Sequence, residues 1–523
     1  MKSIAFFDIE TNAQAAAILD IGAIRTDEAK FHKNSMQEFV EFIKGTQFLC
    51  GHNILQHDLK VLQKREAILF SSTNAIDTLV LSPLLFPKKP YHRLVKDEKL
   101  QTDEANNPLN DAIKARELFL DEVNAFNQLS IEFKTILFNL LQNTPGFASF
   151  FEYLQFNQKR NESELIQLIK AEFGNRVCDN IDFGLLIQRN PVSFAYALAL
   201  INSNDRFSII PPWVLKNYPD VEQIYFLLRN TPCITGCSYC NKAFDPFPFL
   251  KQYFNFSGFR KYNNEPLQEN AVKAAINNKS LLCIFPTGGG KSITFQIPAL
   301  MARHNANALT VVISPLQSLM KDQVDNLEKK GITEAVTING LLDPVERSQA
   351  IERIQNGNAG LLYISPESLR SITIERLLLK RKIARFVIDE AHCFSSWGQD
   401  FRVDYLYIGD FIRELQQKKN LEYPIPVSCF TATAKQKVIE DIRLYFKEKL
   451  NLNLETFHTN AARSNLHYRV FQKNNEDDKY TQLRYIIENK NCPTIIYVSR
   501  TKRAYTLAQK LTDDGFSALS LIH

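Results

Sequence analysis

An α/β chain, with two sheet-bearing regions around a helical middle, is what this sequence predicts, and three observations predict it. The runs LLCIF, TVVIS, LLYIS, RFVID, SCFTA and TIIYV, between Leu281 and Val498, are short, apolar and largely β-branched or aromatic, and most give way to Ser, Thr, Asp or Pro before a helical pattern. That is the form of a parallel sheet covered on both faces, with its polar residues gathered at the carboxyl edge. Near the start, FFDIET (Phe6 to Thr11) and ILDIGAI (Ile18 to Ile24) read as two further strands. Between about Asn127 and Arg229, SIEFKTILFNLLQ, ESELIQLIKAEF and PVSFAYALALIN carry apolar residues at i, i+3 and i+4, the period of helices with one buried face.

Bulk composition narrows the setting. At 523 residues, 45% hydrophobic and 23% charged, the chain has the composition of a globular protein; its length suits roughly three or four domains at about 150 residues each. No apolar run approaches the roughly 18 residues that a membrane span needs. Asp8 and Glu10 stand where a signal peptide would carry its apolar centre, so a soluble, cytoplasmic chain with no membrane association is expected. Cys50, Cys178, Cys283, Cys393, Cys429 and Cys492 are dispersed through apolar or mixed stretches, which suits reduced thiols better than a disulfide framework. A net charge of +5 is too small to argue for a nucleic-acid partner.

The first element of chemical interest is FFDIET, where Asp8 and Glu10, two apart on a strand, share a face. GHNILQHDLKVL adds Asp58 at the start of a helix, and NNPLNDAIKARELF adds Asp111. Asp8, Glu10, Asp58 and Asp111 then make a four-carboxylate set suited to two magnesium ions and in-line attack on a phosphodiester. Over about its first 125 residues the chain resembles the DEDD superfamily of 3′-to-5′ exonucleases, which implies an RNase H-like domain over residues 1–126. In that superfamily a His or Tyr base precedes the last aspartate by five or four positions, and this chain has Asn106 and Asn107 there. Asn cannot act as that base, and His92, 19 positions before Asp111, is a remote substitute. The set is compatible with slow cleavage by a metal-bound hydroxide or with binding of strand ends alone.

Residues 127–250 follow as a helical connector, with Pro211 and Pro212 marking an internal break. It carries CITGCSYC, where Cys233, Cys237 and Cys240 fall at the spacing C-x3-C-x2-C. This is the cluster spacing of radical SAM enzymes, and Glu265 to Leu267 echoes their GGEP element. Those enzymes build a βα barrel after the cysteines, whereas here a nucleotide-binding loop arrives 47 residues after Cys240 with no repeated βα units between. No histidine lies between His92 and His304, so Cys178 is the best fourth ligand. A structural zinc site, an iron-sulfur cluster and four unliganded thiols remain open.

LLCIFPTGGGKS (Leu281 to Ser292) reads as a buried strand running into a glycine-rich turn. Thr287, Gly288, Gly289 and Gly290 let the backbone approach a polyphosphate, Lys291 meets its outer phosphates, and Ser292 meets a magnesium ion at the start of the following helix. The strict P-loop pattern is not met, because Phe285 stands where its first glycine belongs. ARFVIDEAH (Ala384 to His392) supplies the partner: Asp389 for the magnesium, Glu390 to orient or deprotonate the attacking water, and His392 beside them. ATP and Mg2+ are the cofactors this pair of sites demands.

From Phe259 to His523 the chain resembles the helicase core of the RecQ family of superfamily-two helicases. The blocks FPTGGGKS, ISPLQSLMKDQV, YISPESL, DEAHCFSSWGQDFRVDY, FTATA, RSNLHYRV and IIYVSRTK appear in order. Gln268, 23 positions before Lys291, fits the family's adenine-reading glutamine, whereas Arg260 is separated from it by KYNNEPL, an unusual interval for the family's FR pair. The resemblance implies a RecA-like ATP-binding lobe over residues 251–450 and part of a second, truncated RecA-like lobe over 451–523. It implies that Trp397, Phe401 and Arg402 contact DNA and that Thr431 and Thr433 couple that contact to hydrolysis; Gln399 replaces a histidine common in the family. The activity implied is an ATP-driven 3′-to-5′ DNA helicase acting on single strands and duplex junctions in repair and recombination, associated with the nucleoid in a bacterial cell. The alternative is a nuclease whose motor delivers strand ends to the N-terminal carboxylates. Protein partners and oligomeric state are not encoded in any motif of the chain.

Overall fold

A computed structural model of the chain describes residues 2–12, 17–64, 72–89, 92, 94, 107–205, 208–396, 402–421, 423–432, 435–459, 467–472, 476–490 and 492–520. It divides into two compact units, residues 1–461 and 462–523.

The first unit begins with a five-stranded mixed sheet. Its strands are β1 (Ile4–Thr11), β2 (Ile18–Arg25), β3 (Lys30–Lys33), β4 (Phe48–Gly51) and β5 (Ala75–Asp77), in the order β3-β2-β1-β4-β5. β1 runs antiparallel to β2 and parallel to β4, so it lies at the centre and buries Ile4, Phe6, Phe7 and Ile9. The helix Pro108–Gln128 packs across β1 and β2. Asn107 caps it, accepting from the backbone N–H groups of Leu109 and Asn110, and Pro108 occupies the first turn where no N–H is needed.

That helix has a second apolar edge, and it joins the sheet to the connector. Phe119 stands 5.6 Å from Phe6 and 6.2 Å from Phe150, while Phe126 stands 5.5 Å from Phe150. One core therefore runs from Ile4 to Leu228 across the boundary expected at residue 126. At its centre lies the helix Pro191–Asn202, whose residues 193–201 are all buried, as a helix apolar on every side must be. The hydroxyl of its Tyr196 donates to the Val80 carbonyl at 2.8 Å.

The second sheet has seven parallel strands: β6 (Leu281–Ile284), β7 (Leu309–Ile313), β8 (Ala335–Ile338), β9 (Leu361–Ile364), β10 (Ile383–Ile388), β11 (Val427–Thr431) and β12 (Glu455–His458). Their order is β12-β6-β11-β10-β7-β9-β8. Between β6 and β7 the chain crosses over two strands, and a crevice at the carboxyl ends of such a sheet is where ligands bind. Two features were not legible beforehand. β8 is a fully buried strand that no sequence run announced, and β12 pairs with β6 although it lies beyond the boundary expected at residue 450. Glu455 N donates to Ser280 O at 2.8 Å and Phe457 is buried, so pairing along the whole of β6 draws this segment into the first sheet.

In the second unit the described residues form two helices, Glu476–Lys490 and Thr501–Asp513. The Tyr480 hydroxyl meets Asp514 Oδ2 at 2.6 Å, and Lys510 Nζ lies 3.9 Å from the Tyr480 ring centroid. The run TIIYV forms no strand, and Ile495 and Tyr497 are 79% and 90% exposed. Its pattern suits a buried strand, but no described segment of the unit pairs with it, and an unpaired strand has no ladder to hold it. No helix among the described residues is long and apolar enough to cross a membrane.

Candidate functional site

At the carboxyl end of β6 the chain turns through a glycine loop into the helix Lys291–Ala306. Gly288 and Gly290 have φ of +73° and +80°, a region that a side chain disfavours, and a Cβ at Gly290 would meet Gln268 Nε2 at 2.4 Å. Three consecutive carbonyls of this loop are held from one side. Arg260 Nη1 donates to Gly288 O at 2.7 Å, the Tyr262 hydroxyl to Gly289 O, and Gln268 Nε2 to Gly290 O at 2.9 Å. Gln268 is buried and its Oε1 accepts from the Arg260 backbone N–H at 2.7 Å. The intervening KYNNEPL thus loops out through a short bridge between Tyr262 and Glu265 and returns Arg260 to the glutamine. Tyr262, stacked 5.1 Å from Phe285, is a loop-fixing residue that sequence reasoning missed; the aromatic Phe285 in place of the usual glycine was its signal.

Two strands away, β10 delivers Asp389 and Glu390 to the same edge. Lys291 Nζ lies 3.8 Å from Glu390 Oε1. Burial, reinforced by the Glu390 charge and opposed by Lys291, pushes the Asp389 carboxyl up to about 6. Glu390 is held below the usual range chiefly by His392, whose Nδ1 is 3.2 Å from its Oε2. The thiol of Cys393 and then Glu390 raise the His392 imidazole to about 10. Glu390 itself sits at φ +48°, a costly conformation for a residue with a side chain and one that clusters at functional sites. Ser292 Oγ accepts from Gln323 Nε2 at 3.2 Å. Thr287 and Gly288 are exposed at the loop tip, Gly289 is buried, and Thr431, at the end of β11, places its Oγ1 3.2 Å from His392 Nδ1. Ser292 and Asp389 offer the hard oxygen ligands a magnesium ion takes, beside a cation suited to phosphate oxygens.

On the first sheet, the carboxylates of Asp8, Glu10 and Asp111 lie within 4.8 Å of one another. Asp111 gets there because Gly22, paired with Asp8, lacks a side chain: a Cβ would sit 1.9 Å from Leu109 N and 2.2 Å from Pro108 C. Asp58 is not part of this mutually close trio. Its side chain is buried, with Oδ1 accepting from Ile9 N at 3.0 Å, so a backbone donor between the two strand carboxylates claims it. It still acts on the site, because burial first, then Asp58, Asp111 and Glu10, push Asp8 up to about 8. Carboxylates so crowded are charged together only when a cation compensates them, and the oxygen set fits a divalent metal. Asn107, four residues before Asp111, is occupied as the helix cap, and Asn106 lies outside the described residues. His92 is buried against Ser82 at 2.8 Å. The histidine that does stand at this site is His57, missed by sequence reasoning, whose Nδ1 is 3.5 Å from Asp58 Oδ1. Its neighbour Asp58 was the available signal.

Comparison with known proteins bears on the first of these sites. Residues 265–442 match the DEAD/DEAH box helicase family, a span that holds Gln268, the glycine loop, Asp389 and Glu390. The chain contains a DEAD/DEAH helicase domain. Among its relatives are the probable ATP-dependent DNA helicase RecS of Bacillus subtilis (strain 168), 34% identical over 52% of this chain and 51% of that protein, and the ATP-dependent DNA helicase RecQ of the same organism, 39% identical over 50% of this chain and 41% of that one. The ATP-dependent helicase SGS1 of Saccharomyces cerevisiae (strain ATCC 204508 / S288c) is 40% identical over 43% of this chain and 15% of its own length. RecQ-family helicases are thus homologues over about half of this chain, which spans about half or less of their own lengths.

Within the helicase domain, Arg402 donates from Nη1 to Pro315 O at 3.2 Å and from its backbone N–H to Cys393 O. It therefore links the segment after Glu390 to the carboxyl end of β7. Trp397, Gln399, Phe401 and Thr433 lie outside the described residues.

Just before the helicase domain, the sulfurs of Cys178, Cys233, Cys237 and Cys240 lie within 4.8 Å of one another, and all four thiols are free. Cys178 arrives from the segment after the helix Glu162–Phe173, with its backbone N–H on Leu228 O at 3.0 Å. The other three surround the start of the short helix Ser238–Ala243.

Proposed function

We propose that the chain is an ATP-driven 3′-to-5′ DNA helicase of RecQ type, coupling hydrolysis to strand separation in DNA repair and recombination. The observation that carries this reading is the meeting of Lys291 with Glu390 at the carboxyl edge of one parallel sheet, 3.8 Å apart, with Asp389 beside them. Lys291, at the amino end of its helix, balances phosphate charge together with the helix dipole. Glu390, kept ionised by His392, accepts a proton from the attacking water or orients it. Gln268, buried and bonded to the loop carbonyl of Gly290, ties the loop's shape to the helix Leu267–Ile276 on which it stands. Thr431 and His392 join β11 to β10, a route by which DNA contact reaches the hydrolytic groups. A bound magnesium ion supplies charge neutralisation at the phosphates, with Ser292 and Asp389 to hold it. Strand separation of a duplex with a 3′ single-stranded tail, dependent on ATP and lost in Lys291→Ala, is the expected result; separation of 5′-tailed duplexes alone would overturn the polarity.

A second reading rests on the Asp8, Glu10 and Asp111 trio: a 3′-to-5′ exonuclease of DEDD type to which the motor feeds strand ends. What supports it is the strand order β3-β2-β1-β4-β5 and the carboxylate convergence on β1. With Asn107 spent as a helix cap, cleavage through this trio is slow or absent, and the domain then serves to bind strand ends. Release of a 3′-labelled nucleotide with Mg2+ and without ATP, abolished by Asp8→Asn, is the result that favours catalysis.

A further inference from the structure

We infer that Cys178, Cys233, Cys237 and Cys240 hold a single structural zinc ion that fastens the helical connector to the helicase domain. Zinc–thiolate bonds of about 2.3 Å set the sulfurs of a tetrahedral site about 3.8 Å apart. The four sulfurs here lie within 4.8 Å of one another, and those of Cys237 and Cys178 are 4.0 Å apart. In a [4Fe–4S] cluster each thiolate caps its own iron, and in a [2Fe–2S] cluster the four thiolates divide between two irons; either spreads the set of sulfurs wider than a single ion does. The geometry thus points to one tetrahedral ion and away from the iron-sulfur cluster that C-x3-C-x2-C first suggests.

The surroundings support thiolates. Asn180 Nδ2 donates to Cys233 Sγ at 3.2 Å, the Cys237 backbone N–H to the same sulfur at 3.3 Å, and the Cys240 backbone N–H to Cys237 Sγ at 3.4 Å. Donors aimed at sulfur disperse thiolate charge and orient the ligands, as partners around a metal site do. Four sulfurs converging on one point, without a disulfide, leave a soft-metal ion as the natural occupant.

The position says what the ion does. It joins the segment after Glu162–Phe173 to the segment after Asp220–Asn230, closing a loop from Cys178 to Cys233. On the far side of the short helix, Ala243 O accepts from Asn305 Nδ2 at 3.1 Å, and Asn305 belongs to the helix that begins with Lys291. Asn278 Nδ2 reaches Asn230 O at 3.4 Å, and Phe244 packs on the core beneath the motor sheet. The ion therefore braces the joint through which the connector meets the nucleotide-binding helix.

The test is elemental analysis of the full chain purified without chelator, which is expected to hold about one zinc per chain. Cys237→Ser and Cys178→Ser lower this below about 0.2, while Cys492→Ser, at an exposed thiol outside the cluster, leaves it unchanged. Should the variants fail to fold, wild-type protein exchanged with Co2+ decides: tetrahedral tetrathiolate absorption is expected. Metal-free wild-type protein, or a coloured protein holding iron in place of zinc, overturns the site. Limited proteolysis before and after metal removal tests the brace, which predicts new cleavage between residues 230 and 250; unchanged cleavage with zinc lost overturns the bracing role.

Discussion

Lys291 Nζ and Glu390 Oε1, 99 positions apart in the chain, stand 3.8 Å apart at the carboxyl edge of the second sheet. The lysine opens a helix after β6 and the glutamate follows β10, so only strand order brings them together. Opposite charges at this distance attract; under the proposed function a phosphate group in the loop takes the lysine and leaves the glutamate to water.

Replacing either partner therefore has separable effects. Lys291→Ala is expected to weaken nucleotide binding and to reduce hydrolysis by about 100-fold or more, whereas Glu390→Gln keeps binding and loses hydrolysis on a similar scale. Fluorescent-nucleotide titration beside steady-state ADP release distinguishes them. Equal loss of binding in both variants would contradict the division of labour.

Gly22 is the contact on which the carboxylate trio depends. In Gly22→Ala the new Cβ meets the backbone of Leu109 and Pro108, so the helix start carrying Asp111 must move outward. Overpacking of this kind costs about 1–3 kcal/mol. Chemical denaturation measures that loss, and a Mn2+ titration is expected to show weakened binding although no carboxylate was changed.

Asp8→Asn removes one carboxylate of the proposed metal site and one of the mutually repelling charges together. Mn2+ affinity is expected to fall by about 10-fold or more, while ATP hydrolysis stays at the wild-type rate because Lys291 and Glu390 lie on the other sheet. A matching fall in hydrolysis would show the two sites to be linked.

Glu122 predicts a pH dependence of stability. It lies fully buried in the helix Pro108–Gln128, and neither carboxyl oxygen has a hydrogen-bond partner among the described residues. Burial, then Asp77 and Asp121, raise its carboxyl well above the glutamate range against a small opposing effect of Lys89; Cys50 and Tyr196 are its other titratable neighbours. The folded state thus keeps a proton that the unfolded state releases. Stability is fully present below the ordinary glutamate range and falls as pH rises toward the folded-state value, by at most about 1.4 kcal/mol per pH unit. Glu122→Gln removes that slope, so its advantage over the wild type in urea denaturation grows between about pH 5 and 8. Parallel curves would refute this.

Local sequence carried much of this. Apolar runs giving way to Ser, Thr, Asp or Pro marked β6, β7, β9, β10 and β11, because a strand buried on both faces has no polar alternation to dilute it. Gly288 to Ser292, after β6, and Asp389 and Glu390, after β10, were each legible as a pattern because phosphate and magnesium chemistry draws those residue types to the loop that follows a strand. The run TIIYV misled, since an apolar β-branched stretch becomes a strand only where a neighbour completes its hydrogen bonds.

What tertiary structure alone decided is how distant segments meet. Sequence by itself named Cys178 as the fourth sulfur and Asp111 as the last carboxylate. The convergence of the sulfurs, the approach of Asp111 over Gly22, the withdrawal of Asp58 behind Ile9 and the tethering of Arg260 and Tyr262 to the glycine loop depend on packing. The physical reason is the same in each case. A motif written within one turn of chain is constrained by local geometry, whereas a contact between segments tens of residues apart is set by which faces exclude water together.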